Sequence, residues 1–321
     1  MGLLYLFSDP MQRILIAFGG NALLRSGDDA TYDTQFRRAR SAFQKLVEII
    51  QENEIIISHG NGPQVGNILL QNEAARETVR PMPLHGCGAM SQGIIGEILV
   101  NAYDSVRIAE GISKEAATIV TRTLVDGNDP AFGNPTKPIG PYYTKAEAEK
   151  LIRFNGWKMR EERGKGFRRL VPSPQPIDIL ERNAIFSLLN DGFMPIASGG
   201  GGIPVARSPS GYVGVDAVID KDLASSFLAS ILEADRFIIL TDVDNAVLNF
   251  GTESARPIGR ITASDLEKYY NSGQFPSGSM GPKVKAALDF VKRTGKVASI
   301  GSLDRAKQVL SESSGTIVVP G

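Results

Sequence analysis

Cysteine is almost absent: Cys87 is the single one in 321 residues. An intrachain disulfide is excluded, and this usage fits a reducing cytoplasm. Two histidines, His59 and His85, leave little scope for imidazole acting as a general base. No apolar run approaches the ~18–20 residues of a membrane span. Neither sign of charge predominates, with 35 basic and 35 acidic residues, so nothing pulls the whole chain toward nucleic acid or a membrane surface. The P-loop pattern G-x-x-x-x-G-K-[ST] does not occur. HGNGPQVG at 59–66 spaces its glycines one residue too widely for G-x-G-x-x-G, and no acidic ribose partner follows at the expected distance. There is no internal repeat and no low-complexity tract. The opening MGLLYLFSDP lacks the basic start and small-residue cleavage site of a signal peptide. Residues 1–10 read as an N-terminal extension, with Met11 the more natural beginning of a domain over 11–321.

Hydrophobic residues make up 42% of the chain, enough for a large core. Strand-like runs at 14–18, 55–58, 118–120, 194–197, 237–240, 297–300 and 316–319, most of them uninterrupted apolar stretches, predict strands covered on both faces, as in a parallel sheet. Helical periodicity lies between them. Ala39, Ala42, Phe43, Leu46, Ile49 and Ile50 form one stripe over 35–53. Pro176 opens a second helix with Ile177, Leu180, Ala184, Ile185, Leu188 and Leu189 as its stripe, ended by Gly192. Further helices are predicted over 222–232 and 282–293, the latter stopped by Gly295. Strands alternating with helices argue a doubly wound α/β fold, whose ligands gather at the carboxyl ends of the strands.

From about 126 to 174 that rhythm breaks. The segment is rich in proline and then basic, and reads as an inserted subdomain, a hairpin plus a helix. Within it, 158–169 holds six basic and two acidic residues. That stretch is either a solvated face or a positive lip over an anion site.

Four glycine-rich turns each follow a strand: AFGGNAL (17–23), SHGNGPQVG (58–66), ASGGGGIPV (197–205) and GSMGPKVKAA (278–287). Glycine lets backbone N–H groups approach an oxyanion closely. Pro63 and Pro282 are expected at first helical positions, where free N–H groups and the helix dipole favour an anion. Lys137, Lys221 and Lys283 stand in stiff or glycine-flanked settings. Phosphoryl transfer consists largely of positioning and charge stabilisation, which lysines and backbone amides supply. Asp222 is the candidate carboxylate to hold two lysines in place. An acceptor that is already an anion needs no general base, in keeping with the scarcity of histidine.

The blocks AFGGNAL, SHGNGPQVGN, PMPLHGCGAMSQGIIG, NPTKPIGPYYT, VPSPQPIDI, SGGGGIPV, GVDAVIDKDLAS, LTDVDNA and GSMGPKVKAA resemble, in content and order, those of carbamate kinases within the amino-acid kinase superfamily. The resemblance covers 13–319. It implies a three-layer αβα sandwich around a mainly parallel eight-stranded sheet with a small protruding subdomain, usually a homodimer. It implies reversible transfer between ATP and carbamate, giving ADP and carbamoyl phosphate, in arginine breakdown or in carbamoyl phosphate synthesis. Gly19, Gly20 and Asn21 would hold the phosphoryl group, and Gly60, Asn61 and Gly62 the carbamate. Lys137 would reach over from the subdomain. Lys221 and Lys283 would flank the transferring group, with Asp222 orienting them. Thr241, Asp242, Val243, Asp244 and Asn245, with Ser279, Met280 and Gly281, would line the nucleotide pocket, and Gly199 to Gly202 would shape the floor of the site. Magnesium would come with ATP or ADP, mainly on the phosphates, without a dedicated set of protein ligands.

Plainer roles stand beside these. Cys87 next to His85 is expected to lie in a tight turn leading into a helix over 91–109, near the dimer interface, rather than to be a nucleophile. His59 is expected neutral and satisfied by backbone. Asp216 and Asp220 either approach the phosphates or cap the following helix. Two alternatives of other kinds remain: a sister kinase for acetylglutamate, aspartate, glutamate or UMP, and a non-catalytic nucleotide-binding regulator.

Overall fold

The computed structural model describes residues 11–20, 23–24, 27–162, 164–276 and 278–321. Residues 1–10 and Asn21, both given roles above, lie outside them. Eight strands form the central sheet: β1 (Arg13–Phe18), β2 (Glu54–His59), β3 (Ala116–Thr118), β4 (Met194–Ile196), β5 (Arg236–Thr241), β6 (Arg260–Thr262), β7 (Val297–Ser302) and β8 (Thr316–Val319). Their order is β6-β8-β7-β5-β1-β2-β4-β3. All neighbours are parallel except β7 and β8, so six strands run one way and β6 and β8 run the other.

The apolar runs are explained by the two layers that cover this sheet. In β1, Leu15 and Ala17 face one core while Ile14, Ile16 and Phe18 face the other. Phe237 and Ile239 divide from Ile238 and Leu240 in the same way. One layer contains α1 (Tyr32–Gln44) and α3 (Leu84–Ala109), whose Phe43 and Tyr103 rings meet at 5.3 Å. The other contains α4 (Lys221–Ile231) and α5 (Met280–Thr294). Between α1 and α3 in sequence, α2 (Gly62–Ala74) follows the β2 turn. Beside the main sheet, Lys137–Tyr143, Gly166–Val171 and Lys158–Glu162 make a three-stranded antiparallel sheet. Its helix Lys145–Asn155 carries a capping box between Thr144 and Glu147 and ends on Gly156 at φ 65°.

Several local expectations need correction. The helix expected from Pro176 begins only at Arg182, and Asp178–Ile179 is a strand antiparallel to Arg122–Leu124. The N–H of Ile177 donates to Leu124 O and that of Leu180 to Arg122 O, so tertiary pairing overrides the periodic stripe. The 35–53 helix is two, Tyr32–Gln44 and Val47–Glu52, because the Leu46 N–H bonds three residues back to Phe43. All six residues of its expected stripe are nevertheless buried. The 118–120 strand is Ala116–Thr118, with the Ile119 N–H closing the pairing on Ile196 O. The helix expected at 91 starts at Leu84 and absorbs the HGCG stretch. Unforeseen were β6 and a second sheet containing Ile203–Ser208 and Gly211–Gly214. Pro63 and Pro282 fall one and two positions later in their helices than expected, since these begin at Gly62 and Met280.

Candidate active site

The carboxyl ends of β1, β2, β4 and β5 share one edge of the sheet, and three of the four expected turns leave from β1, β2 and β4 there; the fourth, 278–287, follows the helix Ala263–Asn271 rather than a strand and reaches the site as the start of α5. After β1, the Gly19 N–H donates to Leu240 O at 2.8 Å; a Cβ at Gly19 would lie 3.0 Å from that oxygen. After β2, a Cβ on Gly60 would meet Lys221 Cδ at 3.2 Å, so glycine there lets the lysine stem pass. After β4, Ser198 and Gly200 to Gly202 all have positive φ. A side chain at Gly200 would lie 2.1 Å from Asn61 Nδ2, and one at Gly199 2.4 Å from His59 Nε2. The glycine run is therefore a brace fitted against Asn61 and His59.

Three helix N-termini point at the same region, and they differ in one respect. α4 is capped by Asp220, whose Oδ1 accepts from the N–H of Asp222 at 2.9 Å and of Leu223 at 3.4 Å. α2 and α5 have no side-chain cap. At α2 the reason is visible: the Asn61 side chain is turned away to donate to Ser91 Oγ at 2.8 Å. An uncapped helix start next to a cavity is a ready seat for an anion.

The lysines converge around two aspartates. Asp222, buried, accepts from Lys221 Nζ at 2.5 Å on Oδ1 and from Lys283 Nζ at 3.0 Å on Oδ2. Lys137 Nζ lies 2.6 Å from Asp220 Oδ2. Asp220 thus performs both roles left open above, capping the helix and facing the site; Asp216 does neither and pairs with His85 at 3.1 Å. Burial opposes charge on Asp222, but the two ammonium groups outweigh it and hold the carboxyl well below its usual range. Burial lowers the Lys221 pKa, against the pull of Asp222. The result is a fixed carboxylate flanked by two largely dehydrated cations.

Two adjoining cavities flank these groups. One, about 270 Å³, is lined by Gly60, Asn61, Gly62, Lys137, Lys221, Asp222 and the unforeseen Arg168 among others. Arg168 favours the positive-lip reading of the basic stretch at that position. The second, about 430 Å³, has an apolar side made by Val243, Val247, Phe250, Phe275 and Met280, with Thr241, Asp242, Asn245 and Ser279 beside it. The cavities share Gly20, Gly278, Ser279 and Lys283. Of the nucleotide-pocket candidates two fall outside both, and of the Gly199–Gly202 run only Gly200 lines a cavity, the smaller one. Asp244 turns to Arg305 at 3.7 Å, and Gly281 is buried with its N–H closing the turn onto Pro276 O.

His59 is buried, with Nδ1 2.9 Å from the carbonyl of Gly60. A carbonyl only accepts, so Nδ1 carries the proton. Burial first, with Lys221 adding to it, lowers its pKa to about 4. The unfolded chain, near 6.5, binds a proton that the folded chain refuses between those values, so stability must fall as pH drops from 6.5 to 4. We expect a loss of about 3 kcal/mol across that window that His59→Asn does not show. Urea unfolding of both proteins at several pH values checks this; parallel curves would contradict it.

Gln92 was not singled out for a role, yet it ties the floor together. Its Nε2 donates to Thr121 O at 3.1 Å and Gly199 O at 3.0 Å, and its Oε1 accepts from the Thr121 N–H at 2.7 Å. Cys87 is buried in α3, and burial raises its thiol pKa, which suits structure rather than nucleophilic attack.

Sequence comparison decides the lineage. The amino acid kinase family profile matches residues 12–302. The chain belongs to the amino acid kinase family. Within this family it is 51% identical to the carbamate kinase of Thermoplasma volcanium over 310 residues, 97% of this chain and 100% of the relative. It is 50% identical to the carbamate kinase of Trichomonas vaginalis over 312 residues, 96% and 99% of the two chains. Among solved structures, carbamate kinase from Giardia lamblia bound to AMP-PNP superposes with a TM-score of 0.91 at 43% identity, covering 97% of this chain and 99% of that one.

Proposed function

We propose that this amino acid kinase is a carbamate kinase, transferring a phosphoryl group reversibly between ATP and carbamate to give ADP and carbamoyl phosphate. The observation that carries the reading is the Lys221–Asp222–Lys283 cluster at the junction of a small polar cavity and a larger, partly apolar one. The high identity to carbamate kinases over nearly the full chain supports it.

In this reading the larger cavity takes the nucleotide, its base against the apolar side. The phosphates then reach Gly19, Gly20 and the uncapped start of α5. Carbamate sits at the uncapped start of α2, against Gly60, Asn61 and Gly62. The transferring group lies between, where Lys221 and Lys283 meet the charge that spreads over its oxygens. Carbamate is already an anion, so no base is required, and none is offered: His59 is held by Gly60, and both aspartates are occupied by lysines.

Magnesium is expected with the nucleotide. Among the described residues no three His, Cys, Asp or Glu side chains converge to hold a metal ion. We assign the ion to the nucleotide's phosphates. We further read about 126–174 as an inserted subdomain that delivers Lys137 and Arg168 to the site. A homodimer belongs to the same reading: Met90 and Ile94 lie exposed one turn apart on α3. No helix among the described residues is long and apolar enough to cross a membrane.

Lys137→Ala tests the inserted segment. Lys137 is partly exposed, so the fold should tolerate the change. We expect the ATP-forming kcat to fall ~10-fold or more at an unchanged melting temperature, because a positive contact is lost in the transition state. An unaltered rate would mean that the segment plays no part in transfer.

A further inference from the structure

A third cavity, about 230 Å³, lies farther along the strand that carries Lys137. Lys137, Pro138 and Ile139 line the catalytic cavity; Ile139, Gly140, Pro141 and Tyr143 line this one. Its opposite wall is α2, through Leu69 and Asn72, with Pro81 to Leu84 closing one end. The two walls touch at glycines: a Cβ on Gly66 of α2 would lie 3.4 Å from Gly140 Cα. The cavity is thus wedged between the helix whose start frames the carbamate position and the strand that delivers Lys137.

Its chemistry is unlike that of a packing defect. The Arg169 guanidinium lies 4.3 Å from the Trp157 ring centroid, and Trp157 meets Tyr143 edge-on at 6.2 Å. Arg169 makes no hydrogen bond or ion pair through its guanidinium to any described residue. The nearby carboxylates are engaged elsewhere, Glu73 by Arg76 at 2.5 Å and Asp216 by His85 at 3.1 Å. Burial lowers the Arg169 pKa, which marks the cost of leaving this cation without a direct partner. α3 starts at the rim without a side-chain cap of its own, although Asp216 accepts the His85 N–H at 3.4 Å. Prolines, Leu69, Met82, Leu84 and the two aromatic rings supply the apolar part of the lining, with the polar Asn72, Arg76 and Asn155 beside them.

We propose that this cavity is a second ligand site, for a small monocarboxylate with an apolar ring, seated on Arg169 farther along the Lys137 strand. A carboxylate fits the fork of an unpaired guanidinium, and a ring fits walls of proline and aromatic side chains. Occupancy biases the spacing of α2 and the strand, and so the reach of Lys137. That last step rests on the carbamate kinase reading; binding does not.

Trp157 is the chain's one tryptophan, so its fluorescence reports this cavity alone. The probes are benzoate and its neutral counterpart benzamide, titrated into the full-length protein. Benzoate should change the emission saturably, benzamide at least 10-fold more weakly. Arg169→Gln should abolish the benzoate response. Leu69→Phe, which fills the cavity from α2 without touching the arginine, should abolish it too. No saturable response to benzoate, or an equal one in Arg169→Gln, overturns the site. Benzoate at saturation should also change the ATP-forming kcat or KM of the wild type at least twofold and leave Leu69→Phe unmoved. A saturable emission change with both constants unmoved overturns the coupling to Lys137 alone. Absence of any basal activity, with the emission response intact, overturns the carbamate kinase reading and not the site.

Discussion

Lys283→Ala is expected to lower kcat by ~10² or more while the fold survives. Lys283 stands in the first turns of α5, with Nζ 3.0 Å from Asp222 Oδ2, and lines both cavities. A cation at that junction acts on charge that is greatest in the transition state, so its loss appears in kcat more than in KM. Stability should change little, because Asp222 keeps Lys221 as a partner at 2.5 Å. Steady-state kinetics in the ATP-forming direction and a thermal melt decide the matter. Near-normal turnover would make Lys283 a bystander.

Asp222→Asn should be more damaging still, in both stability and rate. The residue is only 3% exposed, and its carboxylate touches two ammonium groups. Neutralising it leaves these cations facing each other with no counter-charge, and breaking a buried pair from one side costs ~3–5 kcal/mol. The protein can relieve this by shedding a proton from Lys221, whose pKa burial already lowers. The sign follows. Activity needs Lys221 charged, so it persists below the Lys221 pKa and is lost as pH rises through it. Removing Asp222 lowers that pKa further, so the alkaline limb of the kcat/KM profile should move to lower pH. A limb that stays in place would show that Asp222 does not govern the charge on Lys221.

Much of this was readable from the chain because the relevant constraints are local. β1 and β2 are bounded by glycine and coated on both faces, so continuous apolar runs mark them. The Gly199–Gly202 run could be read as a turn, but not as a brace, because its partners Asn61 and His59 are remote in sequence. Asp220 reads as a helix cap in VIDKDLA; that it also holds Lys137, 83 residues away, is a tertiary fact. β6 is three residues long and largely polar, and it exists because β8 offers it a parallel edge. The helix expected at Pro176 was misplaced for a related reason, since pairing with Arg122–Leu124 outweighs a valid helical stripe. Arg168 and Arg169 are adjacent and look alike in sequence. Strand alternation sends one to the catalytic cavity and the other to the neighbouring cavity farther along the Lys137 strand.

The most direct test of the central claim is ATP formation from ADP, magnesium and carbamoyl phosphate, with acetyl phosphate and acetylglutamyl phosphate as parallel donors. The account predicts strong activity with carbamoyl phosphate alone. Folded protein that binds ADP yet forms no ATP from carbamoyl phosphate, or that prefers another donor, would contradict it.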